Sequence, residues 1–232
     1  MNPLTKTLEL RKNYKIKSRE PMRAYQRRIS LARDILQLIE RNGRESSKQE
    51  ARRLFLVTVA AGFELYWRDL IRAVIDRKKV TLKEYPKLRN INFTLADIEQ
   101  IIGNRVTLGE LLSCSYTFQN TKVVNEVLSC ILNINAFTEF GKAKFQIQEI
   151  VRKNRSKKQG SIFQQIIYGK SILNNIKKIE KCFEIRHATV HDTGTRYRLS
   201  KIETLLIENA VWQFNTFFEL FIFKHIKTSP TQ

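Results

Sequence analysis

The sequence is poor in the residues that interrupt regular structure. It contains only 8 Gly and 4 Pro among 232 residues. A domain built from many short strands needs tight turns, which these two residue types usually supply. Their scarcity therefore favours long helices over a β-sandwich. Because 42% of the residues are hydrophobic, the chain can bury a real core, and wholesale disorder is excluded.

Cysteines and long hydrophobic runs are also scarce. The three cysteines, Cys114, Cys130 and Cys182, are widely spaced and form no CxxC pair, which predicts reduced thiols and neither disulfides nor zinc. The longest apolar run, 54–63, is too short to span a bilayer, and residues 1–19 lack the apolar segment of a secretory signal. Motifs for nucleotide, zinc or serine-hydrolase chemistry are missing as well. We expect a cytoplasmic protein with no membrane span, no metal site and no cofactor.

Acidic residues are outnumbered almost two to one. The chain has 42 Lys and Arg against 22 Asp and Glu, a formal charge of +20. Residues 1–53 carry a net +9 and residues 142–201 a net +11, so the middle is close to neutral. Such a field predicts a polyanionic partner, with nucleic acid the first candidate and an anionic membrane surface the second. Two solvated helical faces would explain the same charge without a partner.

Apolar residues recur with a helical period near both ends of the chain. The pattern predicts one helix over about 21–41, a second over about 46–77 and a last one over about 201–225. Residues 57–67 are apolar on most sides, which predicts the central helix of a bundle. A capping box over 200–203 opens the last helix. Its many aromatic residues must pack on a core or on a second subunit.

The middle third predicts shorter helices. Two capping boxes and two longer patterns mark them, at Thr94–Asp97, Thr107–Glu110, 122–132 and 139–154. A basic loop is predicted over 156–160. A further helix is predicted from about Ile162 through Phe183, and it ends in the segment 185–194.

The predicted fold is therefore an all-α helical bundle with extra helices inserted in the middle third. Residues 1–19 form a basic arm, residues 20–226 a single domain, and residues 227–232 a tail. The insertion covers about 81–160.

The segment that ends the helix before the last one combines a cation with titratable groups: Arg186-His187-Ala188-Thr189-Val190-His191. Arginine stays charged and can donate two hydrogen bonds to a phosphate. Histidine titrates near neutrality and can move a proton. Such a pair could promote cleavage of RNA in which the 2′-hydroxyl group of the RNA attacks the adjacent phosphate.

The spacing of this pair is a weak signal by itself. In a chain this basic, an arginine often falls four to six residues before a histidine, and a solvated helix end explains both residues. If the helix persists, the side chains of Arg186 and His191 point about 140° apart. They would meet at one phosphate only if the helix bends, or if a second copy faces the first.

The segment 186–191 resembles the Arg-polar-x(3–5)-His motif of the HEPN superfamily, with His187 at the polar position. As in that family, it lies just before the last long helix. The apolar segment 57–70 resembles the early core helix of the family. The resemblance covers 20–80 and 160–225, and it is nearest to the bacterial RiboL-PSP-HEPN branch.

This resemblance implies a metal-independent endoribonuclease whose products carry a 2′,3′-cyclic phosphate. His191 would transfer protons and Arg186 would stabilise the phosphate. HEPN ribonucleases form symmetric dimers whose two motifs face each other across a cleft. Many serve in anti-phage defence or as toxins beside an antitoxin. The implied partners are RNA, a second copy of the chain, and an antitoxin or defence-system protein.

Other residues are weaker candidates. His187 is a further catalytic candidate. Glu64 is a carboxylate inside an apolar run, so it either lies at the site or pairs with Arg68 one turn later. Substrate binding, or orientation of His191, is predicted for five neighbours: Asp192, Thr193, Arg196, Tyr197 and Arg198. The alternative to the enzyme is a non-catalytic basic module that binds RNA or an acidic partner. A membrane-surface protein is a third possibility.

Overall fold

The computed structural model describes residues 3–13, 21–78, 93–151, 161–191 and 197–228. These residues form a helical bundle with one small hairpin, so the predicted all-α class is confirmed. The elements are, in order, α1 Pro3–Asn13, α2 Pro21–Asn42, α3 Glu45–Lys78, α4 Leu95–Gly103, α5 Leu108–Ser115, α6 Thr121–Leu132, α7 Ala136–Lys142, β1 Lys144–Val151, β2 Ser161–Tyr168, α8 Gly169–Leu173, α9 Ile176–His191 and α10 Lys201–Thr228.

The long helix α3 is the centre of the bundle, as the sequence predicts. Its residues Phe63, Trp67 and Leu70 are fully buried, and α2, α5, α9 and α10 all pack against it. Gly62 lets α2 come close, because a Cβ atom there would lie 3.1 Å from the ring of Tyr25. A helix contacted on most sides must be apolar on most sides, which is the pattern seen in the sequence.

The predicted buried faces are partly wrong. Four apolar residues that the helical period assigns to the core lie at the surface: Ile35, Leu54, Leu205 and Leu206. The apolar arcs of α2, α3 and α10 are wider than the part of each helix that a neighbour covers. The helical period shows which side of a helix is apolar, whereas the helices that pack on it determine how many of those apolar residues are buried.

The helix predicted over 139–154 is confirmed only for 139–142 and is wrong over 144–151. After α7, the chain forms strand β1, which pairs with β2 in antiparallel register, so that Phe145 lies opposite Ile167. In β1 the residues Phe, Gln, Ile and Gln alternate with a period of two, and β2 is rich in Ile with Phe and Tyr, which favour strands. The predicted loop 156–160 lies outside the described residues.

The helix predicted from Ile162 to Phe183 is also wrong as a single element. The structure has strand β2, the short helix α8 and the helix α9, with a turn at Asn174 between the two helices. At the junction of β2 and α8, a Cβ atom on Gly169 would lie 1.8 Å from the carbonyl oxygen of Phe140, so only glycine fits. Apolar residues three and four apart suit a helix, but here they belong to a strand and to the helices after it.

Part of the predicted basic arm is folded against the middle of the chain. Residues 3–13 form α1, and Leu4 is buried with Val106 and Leu111 in a small second cluster. The helix α5 itself is attached to α3 by Asp76. The Asp76 carboxylate accepts hydrogen bonds from the Gly109 N–H group at 2.9 Å and the Thr107 hydroxyl at 3.0 Å.

Both capping boxes of the middle third are confirmed at the N-termini of α4 and α5. The last helix also begins as predicted, because the Ser200 hydroxyl accepts from the Glu203 N–H group at 3.0 Å. Within the described ranges, no helix is long and apolar enough to cross a lipid bilayer.

Candidate functional site

Helix α9 carries the Arg-His segment and is anchored to α3 by its buried side. Ile179, Cys182 and Ile185 are fully buried, and the Cys182 thiol donates to the carbonyl oxygen of Leu56 at 3.4 Å. Burial raises the pKa of the Cys182 thiol to about 12, so this thiol stays protonated and is a poor nucleophile. The anchor determines where the last two turns of α9 lie.

The guanidinium of Arg186 is paired with Glu64. Its Nη1 atom donates to the Glu64 carboxylate at 2.5 Å, across the contact between α9 and α3. The side chains are 25% and 14% exposed, so this charge pair lies at the edge of the core. The sequence allows Glu64 either to lie at the site or to pair with Arg68. In the structure it lies at the site, because its carboxylate binds Arg186 and not Arg68.

Arg186 retains the capacity to bind another anion. A guanidinium has five N–H groups. Within the described residues, Glu64 is the one acceptor to which the Arg186 side chain is hydrogen-bonded. A phosphate that approaches from solvent could therefore bind the remaining N–H groups while Glu64 holds the side chain in place.

His187 and His191 form a second feature on the exposed side of α9. They are one helical turn apart, both are exposed, and their ring centres are 4.7 Å apart. The helix persists through His191, so it does not unwind between Arg186 and that residue. The side chains of Arg186 and His191 thus diverge by about 140° around the axis and are separated by about 7.5 Å along it. One chain alone does not bring both groups to one phosphate.

The five predicted substrate-binding residues are only partly described. Asp192, Thr193 and Arg196 lie outside the described residues. Tyr197 is partly buried against the main core, and its carbonyl oxygen accepts from Arg53 at 3.4 Å. Arg198 is exposed. The structure therefore leaves Tyr197 partly exposed, and it connects this segment to the first turns of α3.

The sequence did not reveal a set of exposed apolar side chains on α2, α3 and α9. Five residues are each more than half exposed: Leu31, Ile35, Leu38, Leu54 and Val190. Three of them recur on α2 at intervals of four and three residues, which is the helical signal that could have revealed a second apolar face. We call these five residues the apolar surface.

The positions of two of these residues, Leu54 and Ile35, follow from the neighbours of α3 and α2. Gly62 faces α2, and Glu64 faces α9. Leu54 lies about 80° from each of them around α3, so it projects between the two flanking helices. On α2, Arg33 is bonded to Glu208 of α10. Ile35 lies about 160° away from Arg33 and so faces the opposite side, toward this opening.

Comparisons with protein-family models, with curated proteins and with solved structures found no match. The function must therefore be inferred from the site itself. Among the described residues, no group of three or more His, Cys, Asp or Glu side chains could hold a metal ion. The class that the fold defines is an all-α helical bundle.

Proposed function

We propose that this protein is a metal-independent endoribonuclease of the HEPN class, with Arg186 and His191 as its catalytic residues. One observation carries the proposal. A partly exposed guanidinium and two exposed imidazoles lie on the last two turns of one rigidly anchored helix. The net charge of +20 would attract RNA to such a site.

The proposed reaction uses the 2′-hydroxyl group of the RNA as its nucleophile. The His191 imidazole takes the 2′ proton as the 2′ oxygen bonds to the adjacent phosphorus. The bond from phosphorus to the 5′ oxygen breaks, and the leaving oxygen receives a proton, so the products are a 2′,3′-cyclic phosphate and a 5′-hydroxyl. Arg186 stabilises the charge that develops on the phosphate oxygens. His187 is a second candidate for the proton that the leaving oxygen requires.

Glu64 acts in this proposal as a positioning residue. Arginine side chains have many rotamers, and an unpaired Arg186 would have to be ordered when the phosphate binds. The pair with Glu64 orders it beforehand. The residues 192, 193 and 196–198 remain the proposed RNA-binding neighbours, with Arg198 exposed for that role.

We further propose that two copies form the active site. Because Arg186 and His191 diverge within one helix, a second motif facing the first would supply the missing group. The apolar surface on α2, α3 and α9 would supply an interface for such a pair, since large exposed apolar patches mark interaction sites.

The dimer has its own test. Ile35→Glu should convert the protein to a monomer and reduce cleavage, measured by light scattering after gel filtration and by RNA cleavage. Leu220→Glu is the matched control, because Leu220 is 52% exposed and Ile35 is 53% exposed. If Ile35→Glu stays dimeric, or if the wild type is a monomer that cleaves RNA, the proposed assembly is wrong.

The biological setting is proposed from the resemblance. A ribonuclease of this class would act in the cytoplasm, in anti-phage defence or in a toxin–antitoxin pair, with an antitoxin or defence protein as partner. The three cysteines are unpaired, and Cys114 and Cys182 are buried, which suits a reducing compartment.

Cleavage of a labelled mixed-sequence RNA in the presence of EDTA tests the enzyme. The wild type should cut the RNA, whereas Arg186→Ala and His191→Ala should cut it at least about 100-fold more slowly while circular dichroism confirms that they remain folded. Arg27→Ala and His225→Ala are controls for loss of charge and loss of histidine elsewhere. If both motif variants cut as fast as the wild type, the site assignment is wrong.

A non-catalytic RNA-binding module is the second candidate. The divergence of Arg186 and His191 favours it, because a binding surface does not require the two groups to meet. In that case the wild type and His191→Ala would both leave the RNA intact and would bind it with equal affinity.

A further inference from the structure

We propose that His187 and His191 together bind one divalent transition-metal ion at the surface of α9. The proposal concerns the chain itself, and it holds whether or not the protein cleaves RNA. A bound ion would occupy the imidazole that the proposed cleavage uses for proton transfer, so it would inhibit that cleavage and take no part in it.

The distance between the two rings suits a chelate. A metal–nitrogen bond of about 2.0–2.1 Å puts the ion about 3.2 Å from the centre of each imidazole ring. Ring centres 4.7 Å apart then subtend an angle of about 95° at the ion. This angle lies near the 90° of square-planar and octahedral ions and is somewhat below the tetrahedral value.

The pair is also accessible and held by a rigid backbone. Both residues belong to α9, whose buried residues Cys182 and Ile185 attach it to α3. Histidines four residues apart project from the same face of a helix. Binding would cost little backbone conformational entropy, because the helix is already formed in the described residues.

The charges around the pair permit a cation. Glu184 is exposed one turn before His187, on the same side of α9, and its carboxylate adds negative charge. Arg186 projects toward α3, where Glu64 offsets its charge. Since no set of three protein ligands occurs among the described residues, water would complete the coordination.

Two imidazole ligands determine which ions bind. Imidazole suits Cu²⁺, Ni²⁺ and Zn²⁺, and the near-right angle at the ion favours the first two. We expect Cu²⁺ to bind more tightly than Ni²⁺ or Zn²⁺, and we expect Mg²⁺ and Ca²⁺ not to bind, because they prefer oxygen ligands.

Calorimetric titration of the untagged full chain with Cu²⁺ and with Ni²⁺ tests the site. We expect about one ion per chain. In NMR spectra of the same titration, the imidazole signals of two histidines should be perturbed. His187→Ala and His191→Ala should each weaken binding at least about tenfold, because a single imidazole forms no chelate. His225→Ala is the matched control: this third histidine packs partly buried on Phe221 and should leave binding unchanged.

Three results would overturn the proposal: no saturable binding by the wild type, equal binding by His187→Ala, or loss of binding in His225→Ala alone. Both mutated histidines are exposed, so their variants should keep the wild-type melting temperature. None of these measurements involves RNA. An inactive ribonuclease that binds Cu²⁺ would reject the proposed function and keep the metal site, and an active one that does not bind would do the reverse.

Discussion

Two of the arginine–glutamate pairs that attach α3 to its neighbours lie about three turns apart along that helix. Arg52 is surrounded by acceptors: its Nε and Nη2 atoms donate to Glu40 at 2.6 and 3.0 Å, and its Nη1 atom donates to the carbonyl oxygen of Leu199 at 2.8 Å. The Arg52 and Glu40 side chains are 8% and 9% exposed. Arg186 has one protein acceptor among the described residues, and its side chain is 25% exposed.

The difference shows what each pair can do. Arg52 uses its fork of donors to join α2, α3 and the segment before α10, so little capacity is left for a ligand. Arg186 is ordered by one carboxylate and keeps N–H groups for an anion. The number of protein acceptors around each arginine thus distinguishes a pair with a structural role from a pair whose arginine can still bind a ligand.

The largest expected effect is on cleavage. Arg186→Ala should slow RNA cleavage by about 100- to 1,000-fold, because it removes the cation proposed to stabilise the charged phosphate. Single-turnover kinetics at saturating RNA measure this effect separately from binding. Arg52→Lys is the comparison, since it changes the structural pair and should keep most of the cleavage rate. Equal losses in both variants would remove the distinction between the pairs.

The next effect is on folding. Arg52→Ala leaves the Glu40 carboxylate without its buried partner and should lower the free energy of unfolding by about 3 kcal/mol. Arg186→Ala should cost about 1 kcal/mol, because its pair is more exposed. Urea denaturation followed by circular dichroism measures both values. The reverse order would mean that the Arg186 pair is the structural one.

A smaller effect is expected at Glu64. Glu64→Gln keeps a hydrogen-bond acceptor for Arg186 but removes the charge, so cleavage should fall by about tenfold and not be abolished. Glu64→Ala should cost more, since it also frees the Arg186 side chain. A cleavage rate that is higher in Glu64→Gln than in Glu64→Ala would show that Glu64 positions Arg186. An unchanged rate in Glu64→Ala would exclude that role.

The smallest effect is a pH dependence of stability. The hydrogen bond from Arg52 lowers the pKa of Glu40 below its usual value of 4.5. A carboxyl group whose folded-state pKa is lowered stabilises the fold above its unfolded pKa, and this contribution is lost as the pH falls through the folded value. The stability advantage of the wild type over Glu40→Gln should therefore be full at pH 7 and shrink below about pH 4.5. Urea midpoints across this range test the prediction.

Sequence patterns located most of the helices but misjudged parts of the chain where local signals compete. Thr94 with Asp97, and Ser200 with Glu203, mark helix starts because a cap needs only residues three apart. The hairpin of β1 and β2 was missed, since its apolar residues fit two periods and only pairing between distant segments selects the strand. Glu64 was suggested by its place in an apolar run, but its partner could not be chosen from spacing alone.

By itself, the sequence determined the helical class, the central position of α3, the helix caps and the excess of positive charge. These features depend on composition and on contacts within one or two turns, so local physical chemistry is sufficient for them. Only the tertiary structure decided that Glu64 binds Arg186 and not Arg68, that α9 remains helical to His191, and that Ile35 and Leu54 are exposed. Such features depend on which helices become neighbours, and neighbours are chosen by the packing of the whole core.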